Sequence, residues 1–238
     1  LDLTGRAILQ FVMRPGQTVP VFHLNRESLQ SENLQITLNG EPLDSDDPGD
    51  IQDLVIDGSS QPGLEIQRTL SANTIHTLEV DYTVYHWGEW GLPETSLSAF
   101  VNDIEGTGNE SFFPTINCPS ELAHHTITFV VHSETPYRCI GSGQVTSLPS
   151  ENNSVWLLDT GREIASYTVF FMLMPQDTVQ LETRVIDGVD VRVMSYNSGP
   201  SPYQAFDILE TWLPELSAAL GPFPMPHGLS IFLTGYGG

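Results

Sequence analysis

The sequence predicts a mainly β protein: a large antiparallel sheet or sandwich, followed by one helix and one strand that open an α/β unit. Three observations predict this class. Apolar and polar residues alternate with period two up to about residue 195, Asn-Gly and Asp-Gly pairs follow two of these runs, and the spacing then becomes helical. Alternation of this kind places one face of each strand in a core and the other in solvent.

The strand pattern is clearest in TLEVDYTVY, where four apolar residues share one face: Leu78, Val80, Tyr82 and Val84. Asn39-Gly40 and Asp187-Gly188 each follow an apolar run, and both pairs tolerate the positive φ of a tight hairpin turn. Counting such runs gives roughly ten strands and no helix before residue 198. An antiparallel sheet or sandwich buries one face of each such strand.

After residue 198 the apolar spacing becomes helical. Ser201 is a candidate N-cap, Pro202 suits the first helical position, and Gly221 is a candidate stop. Pro214 is expected to kink this helix or to split it in two. The strand LSIFLTG follows, so residues 1–198 are predicted to form the antiparallel β domain and residues 199–238 to begin an α/β domain.

Charge and hydropathy exclude several kinds of partner. The chain has 30 acidic side chains and 8 basic ones, and every basic one is arginine. Because no cationic stripe is available to neutralise phosphates, no nucleic-acid partner is expected. No apolar run reaches the ~18 residues of a membrane-spanning helix, so no membrane span is expected. The compartment stays open, with a periplasmic or extracellular location favoured.

Four stretches carry a family resemblance through their order and spacing: GRAILQFVMRPGQTVPVFHLNRESLQSENLQITLNGEPL, FFPTINCPSELAHHTITFVV, REIASYTVFFMLMPQD and LGPFPMPHGLSIF. Together they resemble the N-terminal half of zinc aminopeptidases of the aminopeptidase N family, which are gluzincin metallopeptidases. The resemblance covers nearly the whole chain. It implies a saddle-like β-sandwich that precedes a catalytic α/β domain.

The resemblance also implies a chemistry. Members of this family hydrolyse the N-terminal peptide bond of a substrate, with Zn²⁺ held by H-E-x-x-H and a distal Glu to activate water. None of the seven histidines of this chain belongs to an H-E-x-x-H motif. The chain is therefore expected to be the N-terminal portion of such an enzyme, truncated before the zinc motif and inactive and zinc-free by itself. Its expected partners are the missing catalytic domain and a peptide N-terminus.

Four residues are the substrate contacts that the resemblance implies. Eight residues before its Phe-Pro pair the family has a Glu that binds the substrate's free amine, and Glu105 falls at that position, with Asp103 replacing a glutamine two residues earlier. Gly237 and Gly238 correspond to the glycine loop that lines the peptide cleft, where a backbone without Cβ can approach the peptide closely. The family's F-D-E-P is replaced here by Ile-Asn-Cys-Pro at residues 116–119, so two carboxylates are lost.

Other patterns are interpreted structurally. His124 and His125 are neighbours on a predicted strand, so they point to opposite faces and cannot chelate one metal together. The acidic stretch at residues 41–57 departs from the EF-hand template and is expected to be a solvated hairpin loop. Cys118 and Cys139 are expected to be buried thiols, and their disulfide state stays open.

Three other interpretations of the chain stay open. One is a glycyl-aminopeptidase-like gluzincin, whose cleft loop similarly follows a strand with G-Y-G-G. Another is a catalytically inactive relative that serves as an interaction scaffold, which the lost acidic motif favours. The third is a free-standing carbohydrate-binding β-sandwich in which Trp87 and Trp90 form a stacking platform for sugars.

Overall fold

The computed structural model describes residues 2–24, 34–55, 62–84, 100–101, 113–115, 122–165, 168–224 and 228–233. Within these ranges the chain forms 17 strands and one helix. In chain order they are β1 (Asp2–Val12), β2 (Val21–His23), β3 (Gln35–Leu38), β4 (Glu41–Leu43), β5 (Ile51–Val55), β6 (Pro62–Ile66), β7 (Ile75–Val84), β8 (Phe100–Val101), β9 (Leu122–His132), β10 (Tyr137–Gly141), β11 (Gln144–Leu148), β12 (Ser154–Asp159), β13 (Ile164–Ala165), β14 (Phe171–Pro175), β15 (Val179–Ile186), β16 (Val189–Tyr196), α1 (Pro202–Leu220) and β17 (Leu229–Leu233).

Eight strands form the main sheet, in the order β11-β12-β9-β1-β7-β3-β4 with β13 also paired to β9. Its central strand, β1, is antiparallel to β7 on one side and to β9 on the other. The predicted alternation is confirmed in β7, where Leu78, Val80 and Tyr82 are buried. Both predicted turns are confirmed as well: Asn39-Gly40 joins β3 to β4 and Asp187-Gly188 joins β15 to β16, each with positive φ at both residues.

Two small sheets, β10-β14-β8 and β2-β6-β5, cover the inner face of the main sheet and share one core with it. Aromatic pairs join the layers. Phe129 of β9 stacks on Phe171 of β14 with ring centroids 4.2 Å apart, and Phe11 of β1 meets the edge of Phe22 of β2 at 5.1 Å. The chain is therefore a mainly β, antiparallel sandwich, as the alternation predicts.

The third small sheet, β15-β16-β17, lies between the sandwich and the helix. β16 and β17 are parallel, with α1 as the crossover between them. On one face of β16, Val193 packs with Phe206 and Leu213 of α1. On the other face, Met194 packs with Met172 of β14. The predicted boundary at residues 198–199 falls between β16 and α1, so this sheet draws strands from both sides of it.

The ends of α1 agree with the sequence, but its middle does not. Pro202 is the first helical residue, Ser201 stands at the N-cap without a side-chain cap hydrogen bond, and the N–H of Gly221 donates to Ser217 at the C-terminal end. Of the kink or split expected at Pro214, the split is wrong, since α1 is one element on both sides of it. Phe206 and Leu213 anchor the helix to one sheet across that point. No helix in the described ranges combines the length and apolar character needed to cross a membrane.

Gly5 in β1 lies directly beneath the ring of Tyr82 in β7. A Cβ added at Gly5 would lie 2.4 Å from Cζ of that ring. We expect Gly5→Ala to lower the free energy of unfolding by about 1–3 kcal/mol, because the buried ring has to move. Denaturant unfolding of Gly5→Ala, of Tyr82→Leu and of the double variant tests the cause. An equal cost of Gly5→Ala in both backgrounds would show that the ring contact is not responsible.

Candidate functional site

Several predicted site residues lie outside the described residues: Asp103, Glu105, Gly237, Gly238, Trp87, Trp90 and Cys118. Their roles stay predictions. The described residues next to them show how the chain is held before and after residues 102–112 and before residues 234–238. Those flanking residues define the candidate site.

Residues 102–112 follow β8, which is fixed to the sandwich by its backbone. Phe100 pairs with Leu173 of β14, and Val101 pairs with Met172. Because the two strands are antiparallel, β8 runs toward the Phe171 end of β14. The chain therefore leaves β8 at the end of the sandwich where Phe171 pairs with Gly141.

The chain is anchored again immediately after residue 112. Phe113 and Thr115 are both fully buried. The backbone N–H of Thr115 donates to the carbonyl of His23 at 2.9 Å, and the N–H of His23 donates back at 2.8 Å. The Phe113 ring meets the His125 ring edge-on, with centroids 5.8 Å apart. The described residues before and after residues 102–112 are thus both attached to the sandwich core.

His125, whose ring contacts Phe113, is a buried and uncharged residue. It is 2% exposed, its N–H donates to Oγ1 of Thr160, and its carbonyl accepts from the N–H of Thr160. Burial, with a smaller contribution from His124, lowers the pKa of His125 to about 3. Burial also lowers the pKa of His23, against the opposing effect of its bond to Thr115. Both imidazoles are therefore neutral at pH 7.

The second flanking element is β17, which precedes residues 234–238. Ser230 Oγ donates to the carbonyl of Gly141 at 2.7 Å and accepts from its N–H at 3.3 Å. Phe232 belongs to the apolar cluster that contains Met172, the residue that pairs with Val101. The two strands that flank the predicted substrate contacts are therefore attached to one apolar cluster.

The described residues do not fit the zinc ion that the resemblance implies. None of them form a group of three or more His, Cys, Asp or Glu side chains that could hold a metal ion. His124 Nε2 lies 2.6 Å from Asp159 Oδ1 on the partly exposed side of β9, while His125 is buried on the other side. The prediction that these two histidines point to opposite faces is confirmed.

The acidic turn between β4 and β5 is organised by its own hydrogen bonds. Asp44 Oδ1 accepts from the N–H of Asp46, and Asp50 Oδ2 accepts from the N–H of Asp44. Arg68 forms an ion pair with Asp50. The hydrogen bond from the N–H of Asp44, together with Arg68, lowers the pKa of the Asp50 carboxyl group. These contacts support a structural interpretation of the turn, but the expected hairpin is wrong, because β4 belongs to the main sheet and β5 to the sheet β2-β6-β5.

Cys139 is a free thiol in the sandwich core. Its burial raises the pKa of the thiol, so the reactive thiolate is disfavoured. The prediction of a buried thiol is confirmed for this residue.

The anchors at His23, Phe113 and His125 were not predicted from the sequence as functional. Phe113 and Pro114 were singled out only because they match a Phe-Pro pair of the family that the sequence resembles. The residues that contact Phe113 and Thr115 lie in β2 and β9. No local pattern signals that these three residues meet. A buried histidine in an alternating strand, such as His125 in HHTITFV, is the one signal that was available.

The architecture is similar to that of solved M1 zinc metallopeptidases. No protein-family model matches the sequence, and no curated protein matches it. An M1 zinc metallopeptidase from Deinococcus radiodurans has a TM-score of 0.67 and 18% identity, over 100% of this chain and 53% of that one. A mutant from the same organism, bound to a Tyr-Ser-Ala substrate, also gives 0.67 and 18%, over 97% and 52%.

A two-domain M1 zinc metallopeptidase mutant bound to L-arginine gives a TM-score of 0.65 and 16% identity, over 97% of this chain and 52% of that one. The chain thus spans about half the length of the solved structures that it matches. At these identities the likeness establishes a shared fold.

Proposed function

We propose that this chain is the β platform of a zinc-dependent aminopeptidase-like protein, which hydrolyses the N-terminal peptide bond of its substrates. The observation that carries the proposal is the fold likeness to M1 zinc metallopeptidases along 97–100% of the chain. Two of the similar structures hold ligands of the expected kind, an L-arginine and a Tyr-Ser-Ala substrate. The ordered motifs of the sequence support the same activity independently.

The zinc ion belongs, in this proposal, to polypeptide beyond these 238 residues. The sequence has no H-E-x-x-H motif, and the described residues lack a metal-binding group. The exposed apolar ridge of α1 supports a further domain: it consists of Ile208, Trp212, Leu216 and Leu220. A ridge of this kind is a candidate contact for polypeptide beyond these 238 residues, since the chain spans about half the length of the similar structures.

The part assigned to this chain is recognition of the substrate's amino terminus. A carboxylate at Glu105 would pair with the substrate ammonium, with Asp103 beside it, and this pairing selects peptides with a free N-terminus. Gly237 and Gly238 would let the backbone lie close to the peptide. This role is supported by the attachment to the sandwich of β8, before this segment, and of Phe113 and Thr115, after it.

The proposal is tested on the complete gene product that carries this chain. We expect chelator-sensitive release of amino acids from aminoacyl amides, and we expect Glu105→Ala to lower kcat/KM about 10- to 100-fold through loss of a charged hydrogen bond. N-acetylated substrates should be poor for both proteins. The loss should therefore be much smaller when the substrate has no free amine.

Glu110→Ala is the matched control, since it removes a carboxylate from the same segment. It should retain most of the activity. Hydrolysis that is absent, or that resists chelators, would contradict the enzymatic proposal and favour the interaction scaffold. Equal losses in Glu105→Ala and Glu110→Ala would remove Glu105 from its assigned role while leaving the activity intact.

A further inference from the structure

A cleft of about 980 Å³ opens at the end of the sandwich opposite the point where β8 leads into residues 102–112. Ser133, Glu134 and Pro136 before β10 and residues 149–153 before β12 line it, and residues of β10 and β12 form its floor. Its volume is at the upper end of the range of small-molecule and short-peptide sites, roughly 300–1,000 Å³. The cleft is therefore large enough for a ligand of several amino-acid residues.

The floor of the cleft is held in place by hydrogen bonds between its strands. The N–H of Tyr137 donates to Ser154 Oγ at 2.7 Å, and the indole N–H of Trp156 donates to the carbonyl of Tyr137 at 3.2 Å. The Trp156 ring also packs against the sandwich core. The shape of the floor thus exists before any ligand arrives, which reduces the entropy lost on binding.

Arg138 lines this cleft, and no described residue forms a hydrogen bond or an ion pair with its side chain. Its Nε–H group is buried and has no hydrogen-bond acceptor in the described part of the chain. The six other described arginines all have partners: Arg6 with Glu79, Arg14 with a further contact, Arg68 with Asp50, Arg162 with the Pro224 carbonyl, Arg184 with Glu210 and Arg192 with the Gly143 carbonyl.

A chain with 30 acidic side chains and 8 basic ones offers many internal partners for an arginine. The buried Nε atom has almost no accessible surface, so an external group would reach Arg138 through its two Nη nitrogens, which the described residues leave without an acceptor. The planar fork of a guanidinium matches a carboxylate through two parallel hydrogen bonds. Arg138 therefore points to an anionic group that comes from outside the chain.

The other charged side chains in the cleft limit which kind of ligand can bind there. Glu134 and Glu151 both line the cleft, so its lining contains one arginine and two carboxylates. A dianion such as phosphate would be repelled by these carboxylates, whereas a zwitterion complements both signs. Asn153 and Gln176 add amide groups that can bond a peptide backbone.

We propose that this cleft binds a zwitterionic ligand of amino-acid or short-peptide size. The ligand carboxylate lies on the Arg138 guanidinium, and its ammonium group faces Glu134 and Glu151. The site is separate from the role given to Glu105, because it stands on residues that the proposed function does not use.

The experiment uses the full 238-residue chain and tri-alanine as the probe, with isothermal titration calorimetry as the readout. Tri-alanine with two free ends should bind saturably. Its C-terminal amide should bind about tenfold or more weakly, since it lacks the carboxylate, and Arg138→Gln should weaken tri-alanine binding by a similar factor. Arg138→Gln should leave the weak binding of the amide unchanged, because the two changes remove one interaction. N-acetyl tri-alanine should bind less tightly than the free peptide.

Arg162→Gln is the matched control, since it removes an equal charge outside the cleft. It should bind tri-alanine as the wild type does. If Arg138→Gln does not fold, Arg138→Lys keeps the charge and should bind with intermediate affinity, because lysine lacks the planar fork. No saturable binding, equal binding of the acid and the amide, or an equal loss in Arg162→Gln would each overturn the proposal. Loss of binding in Glu105→Ala would instead place tri-alanine at the proposed substrate site and would also overturn it.

Discussion

Phe113→Ala is expected to lower the free energy of unfolding by about 3–5 kcal/mol, the usual cost of deleting a fully buried aromatic ring. The Phe113 side chain is 0% exposed and belongs to the main core. Its removal leaves a cavity beside His125, and the partners are held by separate strands, so the cavity cannot collapse easily. Chemical denaturation of the two proteins measures the difference.

The substitution should also loosen the anchor locally. The reciprocal hydrogen bonds between Thr115 and His23 lie two residues along the chain from the deleted ring. Their amide protons are therefore expected to exchange faster in Phe113→Ala, even under native conditions. Val185→Ala is the control, because Val185 is exposed and should cost less than about 0.5 kcal/mol. A small global effect with unchanged exchange at Thr115 would show that Phe113 is not the anchor.

A strong acid sensitivity that depends on His125 is the second expected result. Burial lowers the pKa of His125 to about 3 in the folded state, whereas an unfolded histidine has a pKa of about 6.5. Between these values the unfolded chain binds a proton that the folded chain excludes. Stability therefore falls as the pH falls from about 6.5 to about 3, and this contribution is complete above pH 6.5.

The size of the effect follows from the gap between the pH and the unfolded pKa. From pH 7 to pH 4 the loss due to His125 should be roughly 3 kcal/mol, since each pH unit below 6.5 costs about 1.4 kcal/mol. The many carboxylates of the chain titrate in the same interval, so the measured quantity is a difference between variants. Denaturant unfolding at pH 7 and pH 4 is compared for the wild type and for His125→Gln.

His125→Gln should lose less stability on acidification than the wild type, by about that 3 kcal/mol. His125→Phe provides a second variant without a titrating group, should the glutamine pack poorly. His132→Gln is the control, since His132 is exposed and should keep the wild-type pH dependence. Parallel pH profiles in the wild type and in both His125 variants would contradict a buried neutral imidazole.

Some elements of the fold could be read directly from local patterns. The alternation in β7, the two hairpin turns and both ends of α1 are local features, set by side-chain periodicity and by backbone preference. The strands of two or three residues, β2, β4, β8 and β13, were missed because so few residues cannot display a period of two. The expected split at Pro214 failed for a different reason. Packing of α1 on β16 outweighs one hydrogen bond lost inside the helix.

The candidate site also combines features that local patterns predict with features that depend on distant parts of the chain. The order of the motifs led to Glu105 and to an aminopeptidase-like function, and both stay proposals. The anchor that holds residues 102–112 was not foreseen, because Phe113, His23 and His125 come from separate parts of the chain. Arg138 also gave no signal in TPYRCIG, since an arginine without a partner looks like any other arginine in a sequence.

The sequence by itself determined the mainly β class, the position of the helix and the lysine-free, strongly acidic character of the chain, since these depend on composition and on spacing between near neighbours. Only the tertiary structure decided that His125 is buried and neutral, and that Arg138 faces a cleft without an acceptor. Burial and pairing are properties of groups that meet through space. They depend on strands that lie far apart in the chain, and no local pattern records which of those strands become neighbours.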